Sequence, residues 1–259
     1  MENLNKVAKI TLYFWIMKVL ATTLGETLGD LFSMTMNIGY LISLIIAMVF
    51  FLIVLFIQLK VSRFYAALYW LVIVGTTTVG TEISDFIDRT LHLGYAIGSS
   101  ILFGLLLLVL YIWHIQEKKI VVYPVTRVKV EVLYWIAILF SNSLGTAFGD
   151  FLSDNLGLSY LYGAMVTAGV ILIVVALHYF TRINAVLLFW IAFVFTRPFG
   201  ATFGDFLTKP IVKGGLNLGT LQSSMVAAAL LSILIFISVR VERGKQPELE
   251  TSSGGATLK

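Results

Sequence analysis

Four stretches of the chain, at residues 38–59, 95–115, 160–180 and 216–239, are almost unbroken runs of Leu, Ile, Val, Phe and Ala. Each is about twenty residues long, enough for a helix rising about 1.5 Å per residue to cross roughly 30 Å of hydrocarbon. Between them lie less apolar segments, near residues 9–30, 65–85, 131–150 and 185–205, whose C-terminal ends gather Thr, Ser, Gly and acids. These also predict helices, because lipid cannot satisfy an open backbone. The pattern predicts eight transmembrane helices, alternately polar and greasy, with the polar ones inside.

The polar segments repeat one another. Trp15, Trp70, Trp135 and Trp190 each follow an aromatic residue, and ten residues after each comes Gly25, Gly80, Gly145 or Gly200. Four further on stand Gly29, Ser84, Gly149 and Gly204, followed at once by Asp30, Asp85, Asp150 and Asp205. The tryptophans are 55, 65 and 55 residues apart, so the halves repeat at 120 residues, as a twice-duplicated hairpin would. Each copy holds two spans, so all four enter the membrane the same way up, as parallel repeats about the membrane normal rather than inverted ones. The expected fold is one all-α membrane domain over residues 1–240, pseudo-fourfold or nested twofold, with repeats at about 8–62, 63–118, 128–182 and 183–240. The polar tail 241–259 is expected to be disordered.

The Trp and Gly-x-x-x-Gly-Asp positions, over about residues 8–240, resemble a family of prokaryotic multi-pass membrane proteins carrying several copies of a short repeat of unknown function. The resemblance implies a polytopic inner-membrane protein and supplies neither a substrate nor functional residues. Repeat two departs from the pattern at Ser84; repeat four adds Pro198 and a longer outer loop.

Composition narrows the class further. Apolar residues make up 59% of the 259 and charged residues 12%, with a mean hydropathy of +0.95. That is about half the usual share of charge, too little polar surface for a soluble enzyme. With no cysteine, disulfides, thiolate metal sites and cysteine nucleophiles are excluded. No P-loop, G-x-S-x-G elbow or H-E-x-x-H site is present, so no enzyme chemistry and no cofactor is expected. The net charge of +4 looks suited to nucleic acid, but 13 of the 18 bases, Lys6, Lys60, Lys118 and Arg182 among them, fall at one set of span ends. The positive-inside rule then places both termini in the cytoplasm and makes the lipid bilayer, not nucleic acid, the partner. A homo-oligomer is compatible with this pattern.

The candidate chemistry lies at the other ends. From Lys9 to Asp30 is about 31 Å of helix, so the repeat aspartates lie near the outer boundary. One reading has each aspartate cap the turn where its helix ends, giving a scaffold or sensor that transports nothing. The other takes Asp30, Asp85, Asp150 and Asp205 as a ring at one membrane level, joined by Glu26, Glu82, Thr23, Thr78 and Ser143. Like charges so arranged share protons or recruit a cation, and hydroxyl and carboxylate oxygens suit Mg²⁺, Mn²⁺ or Ca²⁺ as substrate. Lys18 and Arg197 break the repeat within spans, as structural ion-pair partners or as counter-charges that gate a carrier. The glycines predict close helix packing, answered on the greasy helices by Ser43, Gly98, Gly163 and Ser223.

Overall fold

The computed structural model describes residues 5–254, with side chains to residue 241, and every regular element among them is helical. The helices are α1 (Leu12–Asp30), α2 (Tyr40–Lys60), α3 (Ala66–Asp85), α4 (Tyr95–Glu117), α5 (Val128–Asp150), α6 (Tyr160–Phe180), α7 (Ala185–Thr208) and α8 (Thr220–Gly254). Seven of them are long and apolar enough to cross a membrane. The expected eighth, α1, falls short in apolarity because Lys18, Glu26, Asp30 and several threonines lie within its 19 residues. All of these are buried by neighbouring helices. α8 runs on past Val241 to Gly254; the rest of the tail expected to be disordered, residues 255–259, lies outside the described residues.

The odd helices close a ring. α1 packs against α3 and α7, and α5 packs against the same two. The even helices stand outside, α2 on α3, α4 on α5, α6 on α7 and α8 on α1. The principal partner of each even helix is thus the odd helix of the following repeat. Burial follows this division: 61–72% of the most apolar stretch of α3, α5 and α7 is buried, against 17–28% in the even helices.

The repeat glycines close the ring rather than receiving the even helices. A Cβ on Gly25 would lie 2.9 Å from the Thr77 backbone, on Gly80 2.9 Å from the Ser143 nitrogen, on Gly145 2.9 Å from the Pro198 ring, and on Gly200 2.9 Å from the Thr22 backbone. Such distances leave no room for a methyl: Gly25, Gly80 and Gly200 let the next odd helix approach to backbone contact, and Gly145 makes space for the Arg197 and Pro198 side chains. The small residues of the even helices have other neighbours. Ser43 donates to Glu82 at 2.8 Å, Ser224 bonds Thr27 at 2.8 Å, and Gly163 leaves room for Thr202.

One end of the ring is filled by aromatics. In each repeat the aromatic residue packs edge-to-face with the tryptophan that follows it, with centroids 5.2–5.6 Å apart. Residues 5–8 pass beneath this layer: Lys6 N–H donates to Val125 O at 3.0 Å, and Lys6 Nζ pairs with the fully buried Glu131 at 2.5 Å. At the opposite end α1, α3 and α5 run without a break into five-residue π-helical turns, Leu31–Thr35, Phe86–Thr90 and Phe151–Asn155. The chain then reverses through Gly39 and Gly94, and after α7 through Gly219, whose φ of +78 to +79° few other residues adopt.

Candidate functional site

The ring interior is built in layers four residues apart, one helical turn each. Counted from the aromatic end, these are Lys18, Ile73, Ile138 and Phe193; then Thr22, Thr77, Asn142 and Arg197; then Glu26, Thr81, Thr146 and Ala201; then the four repeat aspartates. The polar members of these layers are hydrogen-bonded or ion-paired, Thr146 only to Asn142 O of its own helix at 3.4 Å.

All four aspartates are buried. They are not helix caps: Asp30, Asp85 and Asp150 keep helical φ and ψ at the entry to their π turns and make no side-chain cap bond, and Asp205 lies within α7. Two basic side chains tie them together in pairs. Arg89 donates to Asp85 at 3.0 Å and reaches Asp150 at 3.6 Å. Lys209 donates to Asp30 at 2.5 Å and reaches Asp205 at 3.1 Å. Each clamp has one tight arm and one loose arm, and the loose-arm oxygens, Asp150 Oδ2 and Asp205 Oδ1, are buried without an aligned hydrogen bond. Burial works against the charge on Lys209, but the Asp205 and Asp30 carboxylates outweigh it and hold the ammonium well above its ordinary range.

Arg89 and Lys209 are the members of the site that sequence reasoning missed. Each stands one turn beyond its aspartate, at equivalent positions of repeats two and four, where repeats one and three have Met34 and Asp154. That i,i+4 spacing of acid and base was the available signal.

Deeper in the ring, Arg197 is fully buried and pairs with Glu26 at 2.8 Å, donating also to Thr81 Oγ1 at 2.6 Å. Lys18 does not meet Glu26; its Nζ donates to Asn142 Oδ1 at 2.8 Å and sits 4.1 Å above the Phe193 ring. One carboxylate oxygen each from Glu26, Asp30 and Asp205 lie within 4.8 Å of one another, a spacing that could hold a metal ion. Asp85 and Asp150 stand apart from that trio, in the Arg89 clamp. Other expected members face elsewhere: Glu82 accepts from Ser43 on α2, Thr78 and Ser143 bond carbonyls of their own helices at 3.0 Å, and Thr23 Oγ1 has no hydrogen-bond partner among the described residues. Thr78 instead lines an apolar groove of about 700 Å³ between α2 and α8.

Fold and interior define a multi-pass, all-α membrane protein, built from an internal repeat around a buried line of paired charges. The chain belongs to the family Repeat of Unknown Function (DUF347), whose repeat matches residues 13–64, 68–119, 133–184 and 188–244. No curated protein and no solved structure matches it.

Proposed function

We propose that this protein carries a small cation across the cell (inner) membrane, a divalent metal such as Mn²⁺ or Mg²⁺, coupled to protons and with no covalent chemistry. In this reading the repeats are parallel and pseudo-fourfold about the membrane normal. Both termini are cytoplasmic, and the aspartate end faces outward. The observation that carries the reading is the trio: three buried carboxylates with oxygens within 4.8 Å of one another, with Lys209 on Asp30 and Asp205 and Arg197 on Glu26. Hard oxygen ligands of this kind suit Mg²⁺ and Mn²⁺. Lys209 acts as a tethered stand-in, holding Asp30 and Asp205 together until an arriving ion displaces it. Charge held inside a membrane bundle costs stability, and its presence supports a functional role.

The test is Mn²⁺ uptake into proteoliposomes holding an internal metal-sensitive dye. Wild-type protein is expected to move Mn²⁺, and Asp30→Asn with Asp205→Asn to lower the initial rate by about tenfold or more, as loss of at least about 1.4 kcal/mol of ion binding requires. Equal rates in a folded double variant would leave a scaffold with internal salt bridges as the better account.

A further inference from the structure

Lys18 is the buried cation on the axis that no carboxylate claims. It is fully enclosed, and among the described residues its amino group meets only the Asn142 carbonyl at 2.8 Å and the face of Phe193 at 4.1 Å. The ion pairs of Arg89, Arg197, Lys209 and Lys6 all pass it by. Of the helices around it, α7 presents Phe193 and Arg197, α5 presents Asn142, and α3 presents Thr76 through that amide; Arg197 is the one charged group acting on it. Arg197 has the same sign, and its single carboxylate, Glu26, is already taken. An ammonium at Lys18 is therefore one uncompensated positive charge, held out of water with no counter-charge to offset the cost.

The surroundings suit both forms. Asn142 is held in one orientation, since its amide nitrogen donates to Thr76 Oγ1 at 3.0 Å and that hydroxyl donates to Ile73 O at 2.7 Å. Its carbonyl oxygen is thus kept facing Lys18, where it accepts from an amine or an ammonium alike. The Phe193 ring adds attraction for the charged form only. Repeats two and three have isoleucine at this position, so the ring's packing does not call for a base here.

We propose that Lys18 is a proton-binding site on the transport axis, losing a proton when a cation occupies Glu26, Asp30 and Asp205 and regaining it when the cation leaves. The proposal rests on the cation reading above. The step is balanced: the ammonium becomes an amine, the N–H electron pair stays on nitrogen, and the proton leaves to water, so positive charge leaves the axis as positive charge enters. Lys18 and Glu26 are two helical turns apart, about 12 Å. At that distance each added unit charge shifts proton occupancy by about tenfold in a medium of effective dielectric near 20.

The experiment uses full-length protein in proteoliposomes with Mn²⁺ as the probe and a pH dye inside. Wild-type protein is expected to move protons against the Mn²⁺ flow. Lys18→Met, an apolar side chain of similar length, is expected to move fewer protons per Mn²⁺ than wild type. Lys18→Arg, permanently charged, is expected to slow Mn²⁺ by about tenfold. Proton counterflow in Lys18→Met equal to wild type would overturn the proposal; Lys18→Gln replaces it if the methionine variant does not fold. If wild-type protein moves no Mn²⁺, the transport reading fails, and the proton site is read separately by titrating detergent-solubilised protein. One titrating proton per chain present in wild type and missing from Lys18→Met supports the site, and superimposable titrations sink it.

Discussion

At the scale of single residues, the glycines and the aspartates do different work although they stand five residues apart. Gly25, Gly80, Gly145 and Gly200 are steric: each marks where the next odd helix comes too close for a side chain. Gly25→Ala is therefore expected to lower unfolding stability by about 1–3 kcal/mol, the usual range for an overpacked core site. Gly104→Ala is its control, because a Cβ on that exposed face of α4 meets nothing within 4 Å. Detergent unfolding of the two variants checks this, and equal midpoints would mean that the ring is looser than described. The aspartates are electrostatic, and their partners explain what sequence could not reveal. Asp30 was visible as a repeated acid, but Lys209, 179 residues away, pairs with it only because the ring brings repeat four back onto repeat one.

At the scale of elements, the π turns replace the caps that a helix ending at each aspartate would need. A hydroxyl four residues after the second glycine supports them: Ser33 donates to Gly29 O at 2.8 Å, Ser153 to Gly149 O at 3.3 Å, and Thr208 to Gly204 O at 3.0 Å in the repeat without a π turn. Repeat two reverses the roles. Ser84 replaces the glycine and donates to Asp88, which replaces the hydroxyl, at 3.4 Å, and Gly98 on α4 leaves space for the Asp88 carboxyl. The departure at Ser84 is thus one half of a paired exchange. Ser84→Gly should remove the one hydrogen-bond donor to a buried acid and cost about 1–3 kcal/mol. Adding Asp88→Ser rebuilds the arrangement of repeat one and should recover most of the loss. Thermal unfolding of the single and double variants measures it, and additive losses would refute the pairing. Helix number, alternation and the inner position of the polar helices were legible because they rest on local periodicity and composition. The burial of residues 5–8 was not, since Lys6 answers Glu131 across 125 residues and reads locally as a free charge beside a span.

At the scale of the whole molecule, four related repeats make a ring whose charges are only twofold alike. Arg89 and Lys209 occupy equivalent places on opposite sides, each bridging two aspartates, yet only the Lys209 side has a further acid one turn deeper. Repeat one supplies Glu26 there, whereas repeats two, three and four have Thr81, Thr146 and Ala201. A ring of four equivalent carboxylates would lose cation affinity equally wherever it is cut. A site seated on the trio would not. Asp205→Asn is therefore expected to weaken Mn²⁺ binding by about tenfold or more, while Asp150→Asn, in the Arg89 clamp, changes it by less than about threefold because its oxygens lie outside the trio. The rise in unfolding temperature on adding Mn²⁺ reports this directly, since an ion at 100 times its dissociation constant stabilises the fold by about 2.7 kcal/mol. If the Asp205→Asn protein still gains that stabilisation and the Asp150→Asn protein does not, the cation belongs to the Arg89 side, and the acid at Glu26 serves only to neutralise Arg197.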